Sequence, residues 1–179
     1  MIKITYFVHG TTTDNEKNLA SGWADCQLSD LGINQSKELG KLVGDKKFAV
    51  IFCSDLKRAI DSAKLTFGDK YPIIADQRLR EINYGNYTQK PEDFKNNLTD
   101  YVKKPFPGGE SYSDVQNRLA DFLVFLKNNY SNKEVAIVAH QAPQLALEVL
   151  LNKKAWPQAI ETDWRKTKTW QPGWEYILE

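Results

Sequence analysis

Short, largely apolar runs alternate along this chain with longer stretches in which apolar residues recur every three or four positions. Runs of the first kind are typical of buried β-strands, whereas the longer period predicts amphipathic helices. The predicted strands are residues 2–8, 48–53, 72–75 and 134–139. The predicted helices cover about 30–43, 56–67, 110–129 and 142–150. Strands that alternate with helices predict an α/β fold with a parallel sheet.

Two helix starts carry serines that could cap them. Ser29 precedes the helix over about 30–43, and Ser54 precedes the next helix along the chain. A serine at this position satisfies a free backbone N–H of the first turn. Gly32 and Ser36 fall on one face of the first helix, and their small side chains would let it lie close to its neighbour.

Two regions lack a clear period. The segment 79–110 is polar, aromatic and irregular, with a short helix predicted after Pro91. The C-terminal segment contains four tryptophans and ends in a late strand predicted near residues 175–178. No repeat or linker interrupts the chain, so we predict a single domain over residues 1–179.

Composition excludes several classes of function. The chain has 179 residues, a net charge of +1 and no basic half, which argues against binding to nucleic acid. No apolar stretch approaches the roughly 20 residues that span a membrane. The N-terminus begins a strand at once and does not resemble a signal peptide. We therefore expect a cytoplasmic protein that interacts with neither nucleic acid nor membrane.

The two cysteines do not indicate a disulfide or a metal site. Cys26 and Cys53 are far apart and lie beside apolar or turn residues, as reduced core thiols do. With the two histidines they match no zinc-ligand spacing, so no metal is expected.

The only two histidines each follow an apolar strand. His9 ends the first predicted strand, and His140 ends the strand over 134–139. Ligands of open α/β sheets bind at the carboxyl ends of the strands. Two scarce imidazoles at two such ends therefore predict one shared site, in which an imidazole acts as nucleophile, acid or base.

Neighbouring residues favour phosphoryl transfer at that site. Arg58 lies in the first turn of a helix that follows a strand, where an arginine and free N–H groups suit a phosphate. Arg58 and a protonated His140 could surround the transferring group, and Glu81 could protonate the leaving oxygen. Each residue taken alone is more often structural: a hydrogen-bonded histidine, a salt-bridged arginine or a solvated carboxylate.

Six blocks then occur in a fixed order along the chain. They are His9-Gly10 with Asn15 in register, Gly22-Trp23 with Leu28-Ser29 and Gly32 to Gln35, Ser54-Asp55-Leu56-Lys57-Arg58-Ala59, Leu79-Arg80-Glu81 with Gly85, Pro107-Gly108-Gly109-Glu110-Ser111 with Arg118, and Val135 to His140. From residue 2 to about 151 the chain resembles the histidine phosphatase superfamily, which includes cofactor-dependent phosphoglycerate mutases. The resemblance implies a three-layer α/β/α fold with a mostly parallel sheet.

The resemblance also implies roles for individual residues. His9 resembles the nucleophile that becomes phosphohistidine, and Glu81 the proton donor and later base. The expected phosphate-binding residues are Arg58, His140, Asn15 and Gly10, and the expected substrate-binding residues are Ser21, Gly22 and Tyr84. No metal or organic cofactor is implied. The expected partner is a small phosphorylated substrate, and a homodimer is left open.

Three positions depart from the family pattern. Val8 stands where the family has an arginine that grips the phosphate, Leu19 where many members have another arginine, and Gln141 where the second histidine is followed by glycine. Loss of one preorganised charged donor costs roughly a hundredfold or more in rate. We therefore expect another cation in the site. The candidates are Lys17, Arg78 and Arg80.

Three functions remain open from the sequence. The first is a phosphomonoesterase that acts through phosphohistidine at His9, with reduced or specialised activity. The second is a phosphoglycerate mutase, although the chain lacks room for the larger insertion that mutases carry. The third is a weakened member that only binds a phosphorylated ligand, which Val8 favours and the retention of both histidines opposes.

Overall fold

The computed structural model describes residues 1–179 and has one five-stranded sheet with the order β3-β2-β4-β1-β5. The strands are β1 Ile2–Val8, β2 Val50–Cys53, β3 Ile73–Ala75, β4 Glu134–Ala139 and β5 Trp174–Leu178. The first four pair in parallel, and β5 pairs antiparallel with β1. The predicted α/β fold with a mostly parallel sheet is confirmed.

Seven α-helices and three 3-10 segments connect the strands. The α-helices are α1 Thr13–Glu16, α2 Asp30–Val43, α3 Lys57–Phe67, α4 Tyr112–Asn129, α5 Gln141–Leu150, α6 Trp156–Glu161 and α7 Trp164–Thr167. The 3-10 segments are Gln77–Leu79, Gly85–Tyr87 and Glu92–Tyr101. None of these helices combines the length and the apolar character that crossing a membrane requires.

The sheet is covered on both faces. Val50 and Phe52 of β2 point into the larger apolar core, which contains α4 and α5, whereas Ile51 and Cys53 point into a smaller core against α3. Residues Ile51 and Phe52 are both fully buried. Burial on both faces explains why these strands are continuous apolar runs rather than alternating ones. The three-layer arrangement follows from these two cores.

Of the two serine caps predicted from the sequence, one is present in the structure and the other is not. Ser29 caps α2 as predicted, by accepting a hydrogen bond from the Gly32 N–H. Helix α3 begins at Lys57 without a side-chain cap; Ser54 instead accepts from the Leu56 N–H in the turn before it. The predicted cap of α3 by Ser54 was therefore wrong.

The irregular regions contain more structure than their sequence predicts. The helix expected after Pro91 is present as the 3-10 segment Glu92–Tyr101. The polar residues after β1 include the one-turn helix α1, which the sequence pattern does not predict. The tryptophan-rich tail contains α6 and α7, which no periodic pattern predicted.

Two glycines let the loop after β1 pass directly over α2. A Cβ on Gly10 would lie 2.4 Å from the Gly32 carbonyl oxygen, and one on Gly32 would lie 1.9 Å from the Thr11 oxygen. The Ser36 hydroxyl donates to the Gly32 carbonyl at 2.9 Å. The close approach predicted for Gly32 and Ser36 is confirmed, and it holds the chain just after His9.

This contact predicts that Gly32→Ala destabilises the protein even though alanine is the better helix former. Since the clash is with backbone, we expect the free energy of unfolding to fall by about 1–3 kcal/mol. The measurement is urea unfolding, with Asn34→Ala on the exposed side of α2 as control, expected within about 0.5 kcal/mol of the parent. Equal stability of the two variants would contradict the close approach.

Candidate active site

A cavity of about 610 Å³ opens at the carboxyl ends of β1 and β4. Its wall is mostly polar, with charged groups of both signs and two indole rings. The lining residues are Val8, His9, Thr11, Asn15, Gln35, Glu81, Glu92, Lys95, Gln141, Trp164, Arg165 and Trp170. The cavity lies where α/β sheets bind ligands. It has the size of a small-molecule site.

His9 lies at the bottom of this cavity with a defined tautomer. Its Nδ1 is 2.7 Å from the Gly10 carbonyl oxygen. Since a carbonyl only accepts, Nδ1 carries the proton and Nε2 keeps a lone pair. Burial first, and then the charge of Arg58, lower the pKa of His9 to about 3. The ring is therefore neutral at ordinary pH and can act as a nucleophile through Nε2.

His140 lies beside His9 and is fully buried. The two ring centroids are 4.9 Å apart at an interplanar angle of 60°. Neither ring nitrogen of His140 has a hydrogen-bond partner in the protein. Burial, followed by the charge of Arg58, holds the pKa of His140 well below its usual value. The expectation of a protonated His140 is corrected: this ring is a neutral donor in the free site.

Tyr6 fixes the backbone of His140. Its hydroxyl donates to the His140 carbonyl at 2.7 Å and accepts from the His140 N–H at 3.0 Å. Tyr6 is fully buried in β1, the strand that His9 directly follows. One side chain thus joins the two histidine-bearing strand ends. The sequence contains no local signal for this contact.

Glu81 reaches the cavity from the segment after β3. Its Oε1 accepts from the N–H groups of Ile82 and Ala142, both at 2.9 Å, and its Oε2 accepts from Gln141 at 3.1 Å. Glu81 therefore lies at the N-terminus of α5, against the first backbone N–H groups of that helix. Glu81 and the two histidines come together as predicted.

The backbone of Glu81 is held by two further side chains. Its carbonyl accepts from the Trp23 indole at 2.7 Å and from the Arg118 guanidinium at 3.0 Å. Arg118 also pairs with Glu110, which in turn accepts from the Asn83 N–H. The blocks containing Trp23 and Glu110 thus position the carboxylate rather than line the cavity.

Arg58 is turned away from the cavity wall. It is buried, and its terminal nitrogens donate to the carbonyls of Gly22 and Ala24 and to the Cys26 sulfur. Its charge still lowers the pKa of His9 and of His140. Arg58 thus braces the loop around Gly22 and acts on the histidines through space, whereas direct contact with phosphate was expected.

The other expected phosphate-binding residues have different placements. Asn15 lines the cavity and shares a capping box with Thr12, which leaves its side-chain nitrogen without a protein acceptor. The Gly10 N–H donates to the Ser62 hydroxyl at 3.0 Å, inside the protein. Gly10 was expected to bind phosphate, but its N–H is engaged by this internal hydrogen bond.

The three residues expected to bind substrate do not line the cavity. Ser21 is buried, and the Gly22 carbonyl accepts from Arg58. Tyr84 is buried against Phe94 and Phe106, and its hydroxyl has no partner. These three positions lie in the protein interior beneath the cavity wall, where Arg58 contacts Gly22 and the aromatic side chains contact Tyr84.

The cations of the cavity are not the expected ones. Arg78 pairs with Asp76, and Arg80 pairs with Asp55 through two nitrogens. Lys17 is exposed and does not line the cavity. The positive charge within the cavity comes instead from Lys95 and Arg165, which no sequence pattern singles out. Neither lies in a block that resembles the family.

Comparison with known proteins extends the match over nearly the whole chain. A model of the histidine phosphatase superfamily (branch 1) matches residues 6–171. Phosphoserine phosphatase 1 of Hydrogenobacter thermophilus is 28% identical over 157 residues, which are 82% of this chain and 74% of that protein. A solved mycobacterial glucosyl-3-phosphoglycerate phosphatase is 26% identical with a TM-score of 0.79, covering 88% of this chain and 85% of that one.

A mutase matches over a shorter region. The 2,3-bisphosphoglycerate-dependent phosphoglycerate mutase of Streptococcus mutans is 38% identical over 96 residues. These residues are 50% of this chain and 42% of the mutase. The match therefore covers less than half of the mutase.

The burial of both imidazoles predicts their titration. Because the folded protein lowers the pKa of each ring, neither His9 nor His140 should titrate between roughly pH 5 and 8 without phosphate. Proton NMR can test this, since the chain has only two histidines and His9→Asn assigns the signals. The urea-unfolded chain is the control, with both rings titrating near 6.5. A folded-state midpoint near 6.5 would contradict the burial.

The lowered pKa values of His9 and His140 also determine how the stability of the protein changes with pH. Between the folded and unfolded pKa values the unfolded chain binds more protons, so these two groups lower stability as pH falls below about 6.5. Measuring urea midpoints of the parent and of His9→Asn across that range isolates one of the two contributions. The parent should lose more stability on acidification than the variant.

Tyr6→Phe is expected to reduce stability because it leaves the buried N–H of His140 without its partner. The expected loss in unfolding free energy is about 1–3 kcal/mol. Tyr112→Phe is the matched control, since the buried Tyr112 hydroxyl has no partner to lose. Urea unfolding should place the control at or above the parent. A loss of equal size in both variants would show that the Tyr6 bonds contribute nothing specific.

Proposed function

Because the chain belongs to the histidine phosphatase superfamily, we propose that it is a phosphomonoesterase that hydrolyses a small phosphorylated metabolite through phosphohistidine at His9. The observation that carries the proposal is the hydrogen bond between His9 Nδ1 and the Gly10 carbonyl at 2.7 Å. It leaves the Nε2 lone pair of a neutral ring on the cavity. A nucleophile needs this protonation state to attack phosphorus.

In the first step His9 Nε2 attacks phosphorus, forming a P–N bond as the P–O ester bond breaks. The leaving alkoxide takes a proton from the protonated carboxyl of Glu81. That proton is best placed on Oε2, which has one protein donor, whereas Oε1 has two. The Gly10 carbonyl accepts from the Nδ1–H of the phosphorylated ring and so stabilises its positive charge.

In the second step water attacks phosphorus and the P–N bond breaks. Glu81, now a carboxylate, takes the proton from that water. The products are orthophosphate and neutral His9, so the site returns to its starting state. His140, whose ring nitrogens have no protein partner, donates a hydrogen bond to a phosphoryl oxygen in both steps. Such preorganised donors stabilise the charge that develops in the transition state.

The substrate class follows from the size and lining of the cavity. A volume of about 610 Å³ accommodates a small metabolite. Lys95 and Arg165 favour an anion, and the side chains of Asn15 and Gln35 offer further polar contacts. The relatives named as phosphatases of phosphoserine and of glucosyl-3-phosphoglycerate support a small phosphorylated substrate.

Mutase activity is the second candidate, because the 96 residues that match a phosphoglycerate mutase are 38% identical to it. A mutase returns the phosphoryl group to substrate, whereas a phosphatase transfers it to water. Incubation with 3-phosphoglycerate separates the two, since hydrolysis releases orthophosphate and isomerisation yields 2-phosphoglycerate. We expect orthophosphate to be the main product.

The intermediate can be trapped directly. Rapid acid-free quenching after mixing with a ³²P-labelled phosphomonoester should leave label on a peptide containing His9. His9→Ala should abolish both the label and turnover, with Lys166→Ala, at an exposed position of α7, as the matched control that retains both. Label on another residue, or full turnover by His9→Ala, would overturn the mechanism. Phosphate binding without label or turnover in the parent would indicate a binding protein.

The role of Glu81 predicts a dependence on the leaving group. With an alkyl phosphate, Glu81→Gln should lower kcat by about 10²–10⁴-fold, because the alkoxide leaves without a proton. With p-nitrophenyl phosphate the loss should be far smaller, since that leaving group needs no proton. Glu92→Gln, which removes the other cavity carboxylate, should show no such difference between substrates. Equal losses on both substrates would rule out general acid catalysis by Glu81.

A further inference from the structure

No cation reaches the cavity from the end of β1, where Val8 lines the wall beside His9. Arg58 is occupied by carbonyls of the loop near Gly22, and His140 is neutral. A phosphoryl group transferred to His9 nevertheless needs positive charge around its equatorial oxygens. The cavity must obtain that charge from another part of the chain.

We propose that Arg165, from the short C-terminal helix α7, binds the phosphate of the substrate in place of the arginine that Val8 cannot supply. This inference rests on the proposed phosphatase function and adds a residue outside all six blocks that resemble the family. Gln141 and Asp163 are positioning residues that hold the Arg165 guanidinium at the cavity.

The Arg165 guanidinium is held along one edge and open along the other. Its Nη1 donates to Asp163 Oδ1 at 2.9 Å and lies 3.4 Å from Gln144 Oε1. Its Nε and Nη2 have no acceptor in the protein, and the side chain is 27% exposed. The guanidinium carbon lies 4.3 Å from the centre of the Trp164 ring. The open edge presents two N–H donors in the fork geometry that matches a phosphate.

A chain of side-chain contacts connects this guanidinium to the second histidine. Gln141, the residue after His140, donates through its amide to Asp163 Oδ2. Asp163 is almost completely buried and also caps α7 by accepting from the Arg165 N–H at 3.1 Å. The glutamine that departs from the family's glycine thus reaches the aspartate that orients the arginine. The two departures are therefore connected: Gln141 helps to position the arginine that replaces the one missing at Val8.

The other cations of the region do not meet the same conditions. Arg80 uses Nε and Nη2 on Asp55 and lies over the Trp23 ring. Lys95 lines the cavity but pairs with Glu92, and an ammonium offers no planar fork. Arg165 alone combines a place on the cavity wall with a free guanidinium edge. Its charge also contributes to the lowered pKa of both histidines, which places it within electrostatic reach of them.

The test compares Arg165→Ala with Lys166→Ala, the neighbouring exposed cation that pairs with Glu161. Isothermal titration with inorganic phosphate measures binding without turnover, and kcat/KM is measured on a phosphomonoester. Arg165→Ala should weaken phosphate binding and lower kcat/KM by about 10- to 100-fold each. Arg165→Lys should recover part of the loss, and Lys166→Ala should change neither value.

A second pair of variants tests the replacement itself. Val8→Arg should raise kcat/KM by less than about tenfold in the parent but should restore most of the loss in Arg165→Ala. Gln141→Leu should weaken phosphate binding in the parent and have no further effect in Arg165→Ala, because it acts only through the arginine. A merely structural role of Gln141 would give equal effects in both backgrounds.

The outcomes separate this inference from the proposed function. If Arg165→Ala binds phosphate like the parent, or if Val8→Arg alone raises kcat/KM by orders of magnitude, the inference is wrong even when His9 is phosphorylated. If the parent neither turns over nor labels His9 but loses phosphate affinity in Arg165→Ala, the proposed function fails and the arginine assignment stands. Circular dichroism confirms that each variant is folded, and Arg165→Gln replaces Arg165→Ala should the latter unfold.

Discussion

The parallel pairing of β1 with β4 is the constraint on which the site depends. In this register Val8 pairs with Ala139, and the His9 N–H donates to the Ala139 carbonyl at 3.1 Å. Both histidines are therefore the first residues beyond their strands, and their rings meet 4.9 Å apart. A slip of one residue would send one side chain to the opposite face of the sheet. Apolar packing on both faces of the sheet holds this register. The packing that stabilises the core therefore also determines the relative position of the two histidines.

The same burial determines the charge state of the site. Two imidazoles enclosed near Arg58 remain neutral, which suits a nucleophile and leaves His140 with two unpaired nitrogens. Unpaired buried polar groups cost free energy until a partner arrives. A phosphate would accept from His140 and from the open edge of Arg165 at once. The site therefore offers hydrogen-bond donors from which an anion can accept, and active sites often keep such groups at the expense of stability.

Local features of the sequence predict the parts of this site that depend on neighbours along the chain. Apolar runs locate four of the five strands, the fifth was predicted near residues 175–178, and the strand ends locate His9 and His140. The small residues Gly32 and Ser36 predict the close approach of α2. The sequence cannot show where a long side chain points, which is why Arg58 was assigned to the phosphate although it turns toward the loop at Gly22.

Contacts between distant residues are the part that sequence reasoning missed. Tyr6 meets His140 across 134 residues, and nothing near either position marks the pair. Helix α7 has four residues, too few for any apolar period, so the sequence does not distinguish Arg165 from the rest of the aperiodic tail. The expected replacement cations, Lys17, Arg78 and Arg80, lie within or beside the six blocks. The fold instead brings the end of the chain back over the cavity, because β5 pairs with β1.

An arginine on α7 differs in kind from one on β1. A residue at position 8 is held by the central sheet, whereas an isolated four-residue helix is unstable by itself in water. Its position depends on the Asp163 cap and on the stacking of Trp164 against Trp174 of β5, with ring centroids 5.4 Å apart. The proposed binding of phosphate by Arg165 therefore depends on the packing of the C-terminal segment. Segments with few buried contacts open locally at less free energy than a central sheet, so an arginine on α7 depends on the packing of the tail in a way that an arginine on β1 would not.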